Sequence, residues 1–184
     1  MTMSIKKTIS TMMLLVAALC VNAAESERKL PVKMEDVAAR LKSHCPSHVN
    51  VSSNRDELII TINKSDKKDG FTGTYSFHAL KRLAGRSFTF ALDVKLDNVD
   101  FGDAAHSGNI GQVHFGDTRQ LISIKHNDWH TYYFKGVKIP GSGMLKLRIS
   151  VKKISGEIHI RNLRIRGNFP KVRDKNTKKK KKKD

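Results

Sequence analysis

Residues 87–96 read SFTFALDVKL, and their side chains alternate between two kinds. Every second residue, starting at Phe88 and ending at Leu96, is large and apolar. The residues between them are Thr89, Ala91, Asp93 and Lys95. Successive side chains of a β-strand point to opposite faces, so this period places one face against a core and the other in solvent. The stretch therefore predicts a half-buried strand.

The same period of two recurs on both sides of this strand. Its apolar positions include Leu58, Ile60, Ile62, Tyr75, Phe77, Val113, Phe115, Leu145, Leu147, Ile149, Val151, Ile158 and Ile160. Eight or nine short strands separated by polar or glycine-rich turns are typical of an antiparallel sandwich or barrel, and not of an α/β fold. The predicted fold class is therefore all-β and antiparallel. Residues 97–108 are its longest predicted irregular connection.

The last predicted strand contains a change of phase. Ile158 and Ile160 are even-numbered, whereas Leu163 and Ile165 are odd-numbered. Because one extra residue moves the following side chains to the other face, a strand that keeps its apolar side inward must bulge there. The sequence predicts a bulge or bend at residues 161–162.

The first 23 residues have the three parts of a secretory signal peptide. A basic start is followed by an apolar run over residues 12–21 and then by Asn22, Ala23 and Ala24. Cleavage after Ala23 is predicted, with cleavage after Ala24 as the alternative. The apolar run is shorter than the about 20 residues that a membrane-spanning helix needs. We expect an exported protein without a transmembrane segment, located outside the cell, in the periplasm or at the cell surface.

Residues 24–48 are predicted to be a polar lead-in followed by one short helix ending near Cys45. Val37, Ala38 and Leu41 fall at helical spacing, and acidic residues occupy the first turn. Cys45 is the only cysteine left after removal of the signal, so it has no partner for an internal disulfide. It is either buried as a small apolar residue or available for an intermolecular disulfide that would join two chains. We expect burial.

The chain is strongly basic, with 35 Lys plus Arg against 17 Asp plus Glu and a net charge of +18. Part of this excess lies in residues 170–184, which contain six consecutive lysines and are predicted to be a disordered tail. The predicted strand domain, residues 49–169, is basic as well. A positive field attracts polysaccharides with acidic groups and other polyanions. Aromatic residues interleaved for base stacking are absent, so specific nucleic-acid recognition is not expected.

Four segments occur in an order that resembles a known family. They are SFTFALDVK at 87–95, DWHTYYF at 128–134, MLKLRI at 144–149 and GEIHIRNLRI at 156–165. Together they resemble the jelly-roll carbohydrate-binding modules, the galactose-binding-like β-sandwiches attached to many secreted glycoside hydrolases. The resemblance covers roughly residues 74–167. It implies an antiparallel jelly-roll sandwich with a non-catalytic, sugar-binding role.

Two features depart from that family. Arg161 and Asn162 stand where the family usually has a pair of acids in the closing strand, so the resemblance does not extend to the structural calcium often seen in such sandwiches. We expect no cofactor. The chain is also only 7% aromatic, whereas sugar-binding modules tend to expose several rings.

Two aromatic residues are candidates for contact with a sugar ring. Trp129 is the only tryptophan, and its indole offers a large apolar face with one polar group. Packing at the edge of the sandwich is the favoured alternative for Trp129. Tyr132 and Phe134 share an inward phase, which leaves Tyr133 as the exposed aromatic candidate.

Basic residues on outward strand phases are the main candidates for binding an anionic ligand. Arginine forks pair with the oxygens of carboxylate and sulfate groups. The outward set is expected on neighbouring strands of one sheet and comprises Lys95, Lys146, Arg148, Lys152, Arg161 and Arg164. From it we select Lys95, Arg148, Arg161 and Arg164, and we add the outward histidines His114 and His159.

No catalytic or metal site is predicted. His126 and His130 are four residues apart, but that spacing brings two imidazoles onto one metal in a helix, and here it spans a strand end and a turn. No Gly-x-Ser-x-Gly motif occurs, and the acids on clear outward strand phases are Asp93 and Glu157. These residues do not form a recognisable nucleophile–base pattern.

The favoured interpretation is a secreted, non-catalytic carbohydrate-binding β-sandwich that prefers acidic or sulfated glycans. An alternative is a structural or scaffold protein held on anionic envelope polymers by its lysine tail. A small polysaccharide hydrolase or lyase is the least favoured alternative.

Overall fold

A computed structural model describes residues 25–64, 70–78, 80–125, 128–152 and 154–170 of the chain. The predicted signal peptide, the tail beyond residue 170 and His126 lie outside these ranges. None of the described helices is long and apolar enough to cross a membrane.

The described residues form ten β-strands and one α-helix. In chain order they are β1 (Ser26–Lys29), α1 (Met34–Lys42), β2 (Val49–Asn54), β3 (Glu57–Ile62), β4 (Phe71–Phe77), β5 (Ser87–Asp100), β6 (Asn109–Phe115), β7 (Thr118–Ser123), β8 (His130–Lys138), β9 (Leu145–Val151) and β10 (Ser155–Gly167). Short 3₁₀ helices occupy Lys81–Leu83 and Gly102–Ser107. The predicted all-β class is confirmed.

The strands make two antiparallel sheets. The six-stranded sheet has the order β2-β3-β10-β5-β8, with β1 also paired to β10. The four-stranded sheet has the order β4-β9-β6-β7. Phe115 of the four-stranded sheet packs against Phe90 and Phe134 of the six-stranded sheet, with ring centroids 5.0 and 4.9 Å apart. The sheets therefore face each other across one core, as the predicted sandwich requires.

The core is built from the apolar positions that the sequence period selects. Phe90, Leu92 and Val94 of β5 are at most 2% exposed. Full burial of such a side chain stabilises a fold by about 1.5–3 kcal/mol, so the alternating strands carry most of the stabilising burial. Helix α1 adds Val37 and Leu41 to the same core.

The predicted bulge in β10 is confirmed. Pairing between β10 and β5 shifts register between Arg161 and Arg164. Asn162 has a φ of 54°, in the left-handed region that residues with a β-carbon seldom adopt. Before the bulge β10 pairs with β3, and after it β10 pairs with β1 on the same side.

The polar lead-in contains a strand that the sequence did not indicate. Ser26–Lys29 forms β1 against the end of β10, and Leu30 directly after it is buried. The sequence SERK has no alternation of apolar and polar residues, so only the pairing partner reveals the strand. Residues 97–108 are also more regular than expected, because β5 continues to Asp100 and a 3₁₀ helix follows.

Helix α1 is shorter than predicted and ends at Lys42 instead of Cys45. The Cys45 thiol donates to the carbonyl oxygen of Leu41 at 3.3 Å and is half-buried against the core. Burial raises the pKa of this thiol, and the nearby Lys42 offsets part of the increase. The intermolecular disulfide stays a prediction.

Candidate functional site

The outer face of the six-stranded sheet is organised around Asp93, the buried charged residue of the described chain, which is 8% exposed. Its carboxylate accepts hydrogen bonds from Thr131 Oγ1 at 2.8 Å, Asn162 Nδ2 at 2.8 Å and Arg164 Nη2 at 2.7 Å. The left-handed turn at Asn162 brings that amide to Asp93 from the bulge of β10. A buried charge is tolerated where it is paired and hydrogen-bonded, as it is here.

His159 and two glutamates form a second cluster on the same face. Its Nδ1 contacts Glu57 Oε1, and its Nε2 lies 3.2 Å from Glu157 Oε2. Strand pairing explains the cluster, because β3 and β10 are neighbours in the sheet and both carboxylates come from outward positions. Thr61 Oγ1 also donates to Glu157 at 3.3 Å.

Trp129 is covered on one side by a guanidinium. The Cζ atom of Arg161 lies 3.7 Å from the centroid of the indole, and His159 approaches the ring edge-on at 6.5 Å. This is cation–π geometry, worth about 0.5–2 kcal/mol. Trp129 is half-buried, and the Arg161 guanidinium occupies one of its two ring faces.

Tyr133 is exposed as predicted, with 47% of its surface accessible, and lies opposite Ala91 of β5. Tyr132 and Phe134 on either side point into the core, as their phase requires. The Tyr132 hydroxyl accepts a hydrogen bond from the backbone N–H of Ser123, and burial raises the pKa of this phenol.

The basic residues predicted to share one sheet are divided between two, so that expectation is wrong. Lys95, Arg161 and Arg164 lie on the six-stranded sheet, whereas Lys146 and Arg148 lie on β9 of the four-stranded sheet. Strands β9 and β10 are consecutive in sequence but belong to opposite sheets. Alternation predicts whether a side chain points outward, but not from which sheet.

Most of the predicted candidates on the six-stranded sheet already have partners. Arg164 bridges Asp93 and Glu27, and Lys95 lies 3.8 Å from Asp97. Arg166, further along β10, pairs with Glu25. The face therefore contains both signs of charge, and most of its basic residues lie beside a carboxylate.

The outer face of the four-stranded sheet has a different composition. Strands β4, β6, β7 and β9 contain no Asp or Glu, while Arg119, Lys146 and Arg148 are exposed on them. These three side chains form no ion pair within the part of the chain that the structure describes. Neither Lys146 nor Arg119 was among the residues selected from the sequence.

One cross-strand row of this face contains Thr74, Arg148, His114 and Arg119 in that order. The next row contains Thr72, Ser150, Gln112 and Leu121. Thr72 donates to Ser150 at 3.1 Å. Neighbouring strands are about 4.8 Å apart, so the first row presents three basic side chains within roughly 10 Å.

A groove opens at one end of this face, between the β6–β7 turn and the β8–β9 loop. Its volume is about 670 Å³, and its polar lining includes His114, Asp117, Lys138, Ser142, Lys146 and Arg148. Gly143 has a φ of 72°, and a β-carbon there would lie 2.3 Å from the Lys81 Cα. The loop is therefore packed tightly on the Lys81–Leu83 turn, which fixes that wall of the groove.

His114 lines this groove, and its pKa is lowered by its surroundings. Burial lowers its pKa, and the flanking guanidiniums of Arg148 and Arg119 lower it further. Its Nε2 atom is buried and has no hydrogen-bond partner among the described residues. These features favour the neutral imidazole.

The described residues contain no group of three or more His, Cys, Asp or Glu side chains placed to hold a metal ion. His130, one of the two histidines that are four residues apart in the sequence, makes an edge-on contact with the Tyr132 ring, with ring centroids 4.8 Å apart. The other member of that pair, His126, lies outside the described residues.

No family model matches the chain, and no curated protein is similar to it in sequence. Similar solved structures include a family 4 carbohydrate-binding module, with 14% identity, coverage of 70% of this chain and 84% of that chain, and a TM-score of 0.43. A family 29 module from Piromyces equi has 12% identity, coverage of 81% and 93%, and a TM-score of 0.40. A family 11 module of a cellulosomal cellulase from Clostridium thermocellum has 9% identity, coverage of 80% and 90%, and a TM-score of 0.41. Carbohydrate-binding modules, the class that the four sequence segments resemble, are thus found repeatedly among the solved structures that are similar to this chain.

Proposed function

We propose that this chain is a secreted, non-catalytic carbohydrate-binding β-sandwich that binds acidic or sulfated glycans on the outer face of its four-stranded sheet. The observation that carries the proposal is that Arg119, Lys146 and Arg148 have no ion-pair partner among the described residues and lie on strands without a single acid. Free guanidinium groups bind carboxylate and sulfate oxygens in pairs, and these hydrogen bonds are stronger than neutral ones.

Neutral polar groups on the same face favour a sugar over other polyanions. Hydroxyl and amide groups hydrogen-bond to sugar hydroxyls, and this face presents Thr72, Thr74, Ser76, Gln112 and Ser150. No Phe, Tyr or Trp is found at its outward positions on the described strands, whereas single-stranded nucleic acids are held by stacking on such rings. Carboxylated or sulfated glycans match this combination of charge and hydroxyl groups.

The test compares chondroitin sulfate with uncharged dextran, using calorimetry on the protein without its signal peptide. The variant Arg119→Gln/Arg148→Gln removes two charges from the proposed face. Lys95→Gln/Arg166→Gln removes two from the six-stranded face and serves as the matched control. Each charge-assisted hydrogen bond contributes about 1.5–3 kcal/mol, so the first variant should bind chondroitin sulfate at least ~10-fold more weakly.

The control should bind like the unmodified protein, and dextran should bind weakly or not at all. If the control loses binding and the first variant keeps it, the glycan contacts the six-stranded face with Trp129, Tyr133 and Arg161. Absence of binding to both sulfated and carboxylated glycans would overturn the proposal. Turnover of such a glycan would overturn its non-catalytic part.

The scaffold alternative has a separate observation in its favour, the six consecutive lysines at residues 178–183. Such a tail binds polyanions through salt-dependent, non-specific attraction. Deleting these lysines distinguishes the two functions. If retention on anionic envelope polymers disappears with the tail and the sandwich alone binds no glycan, the scaffold function is correct.

A further inference from the structure

We propose that the groove between the β6–β7 turn and the β8–β9 loop is the subsite for one sulfate or carboxylate group of the glycan, and that filling it is coupled to proton uptake by His114. The inference rests on the proposed function, because it assumes an anionic glycan on the four-stranded face. It adds the position of the anionic group, the residues that hold it, and a dependence on pH.

The groove has the charge and shape for a single anion. Lys146 and Arg148 are two residues apart on β9, so both point outward along one wall, and Lys138 lines the groove from β8. Asp117 is the one acid among the lining residues. Three cations against one carboxylate leave the groove positive before any ligand binds.

The turn and the loop supply hydroxyl groups and a rigid frame. Thr118 follows the two-residue turn of β6 and β7, and Ser142 lies in the β8–β9 loop. The Gly116 N–H is held by the Lys146 carbonyl oxygen at 2.9 Å, which ties the turn to β9. Binding therefore needs no large rearrangement of these walls. A preformed site loses less conformational entropy when it binds a ligand, which favours binding.

A second cavity, of about 460 Å³, lies beside the β2–β3 turn, but its charges are balanced. It is lined by Arg55 and Arg161 together with Asp56 and Glu57. An anion entering it would meet two carboxylates as well as two guanidiniums. The groove on the four-stranded sheet has the larger excess of positive charge.

His114 has a guanidinium directly opposite it on each of its two neighbouring strands. Arg148 lies directly opposite on β9 and Arg119 directly opposite on β7, while Lys146, Lys138 and Asp117 face it across the groove. Repulsion from the guanidiniums adds to the burial that keeps the imidazole neutral. An anion bound at Lys146 and Arg148 opposes this repulsion and favours the imidazolium.

The coupling follows from linkage. A ligand that raises the pKa of His114 must bind more tightly to the protonated protein, by up to about tenfold for each pKa unit. Affinity therefore increases as the pH falls through the pKa of the bound state, and it levels off below the pKa of the free state. The direction is the same for sulfate and carboxylate groups.

Calorimetry with chondroitin sulfate tests the inference, at constant ionic strength between pH 8.0 and 5.5. Two buffers of different ionisation enthalpy give the number of protons taken up. The variants are His114→Gln and, as a matched control, His44→Gln, which removes an exposed histidine after helix α1. A third variant, Arg119→Gln, keeps His114 but removes one neighbouring guanidinium.

We expect the unmodified protein and His44→Gln to bind several-fold more tightly at pH 5.5 and to take up a proton. His114→Gln should show neither effect, and in Arg119→Gln, where the pKa of free His114 is higher, the affinity should level off at a higher pH. Binding whose affinity does not change with pH in any of the four proteins overturns the inference and leaves the proposed function standing. Proton uptake that persists in His114→Gln also overturns it, whereas absence of binding at every pH overturns both.

If His114→Gln fails to fold, the histidine signals of the unmodified protein provide the same test by NMR. The pKa of His114 should increase when chondroitin sulfate is added and should not change with dextran. An unchanged His114 pKa in the presence of bound chondroitin sulfate would overturn the coupling.

Discussion

The two outer faces of the sandwich differ in how their charges are compensated. On the six-stranded sheet, Asp93 and Arg164 pair at 2.7 Å, and His159 lies between Glu57 and Glu157. On the four-stranded sheet, Arg119 and Arg148 have no acidic partner within the described residues. A basic composition alone does not indicate which of the two faces attracts an anion.

Exposure and charge are therefore not sufficient to identify a binding residue. Side chains that are already paired must lose a partner before they bind a ligand, and this cost offsets the gain. Side chains without a partner lose only hydration and conformational freedom. The predictions below test whether the six-stranded face serves stability while the four-stranded face remains free for a ligand.

The largest expected effect is on Asp93. Asp93→Ala leaves Arg164 and the Asn162 amide without their shared acceptor, and losing hydrogen bonds to this charged, partly buried group costs about 1.5–3 kcal/mol. The matched change on the other face, Arg148→Ala, should alter the free energy of unfolding by less than ~0.5 kcal/mol. Urea unfolding followed by tryptophan fluorescence measures both. Equal losses in the two variants would contradict the division of roles between the faces.

A smaller effect is expected at the bulge of β10. Asn162 adopts a φ of 54° and donates to Asp93. Asn162→Ala and Asn162→Gly both lose that hydrogen bond, but only alanine is strained in the left-handed region, so it should be the less stable by about 1 kcal/mol. Asn50→Ala, at an exposed position of extended β2, is the control and should change little. If the alanine and glycine variants at 162 unfold at the same urea concentration, a β-carbon in this left-handed conformation has no measurable cost, and the prediction is wrong.

Much of the sandwich could be predicted from the sequence because burial follows the period of two. The apolar positions of β5, β9 and β10 are buried, and the change of phase after Ile160 correctly indicated the bulge. Strand β1 could not be predicted, since its residues are all exposed and it exists only by pairing with β10.

The candidate site was only partly predictable, for a related reason. The outward phase of Arg148 and His114 follows from their own strands, but the sheet to which each strand belongs depends on long-range pairing. Asp93 shows the same limit, because its outward phase suggested exposure, whereas Thr131, Asn162 and Arg164 surround it. The compensation of charge emerges only once β3, β5, β8 and β10 lie side by side.

The smallest expected effect concerns the titration of His114 in the protein without ligand. Because Arg148 and Arg119 contribute to its low pKa, Arg148→Gln and Arg119→Gln should each raise the pKa of His114 toward the ordinary value of 6.5. Lys95→Gln, on the opposite face, should leave it unchanged. The chemical shift of the imidazole protons followed from pH 8 to 5 measures the change. An equal change in the pKa of His114 in all three variants would mean that charges on the six-stranded face affect His114 as much as its neighbouring arginines do.

The lowered pKa of His114 also predicts how the stability of the fold changes with pH. Folding lowers the pKa of His114, so the unfolded chain binds the proton more tightly. The stabilisation from the neutral imidazole is complete above the unfolded value of about 6.5 and is lost as the pH falls through the folded value. The unmodified protein should therefore lose a part of its stability between pH 7.5 and 5.0 that His114→Gln retains, as measured by urea unfolding at both pH values. A larger loss in His114→Gln than in the unmodified protein would contradict this sign.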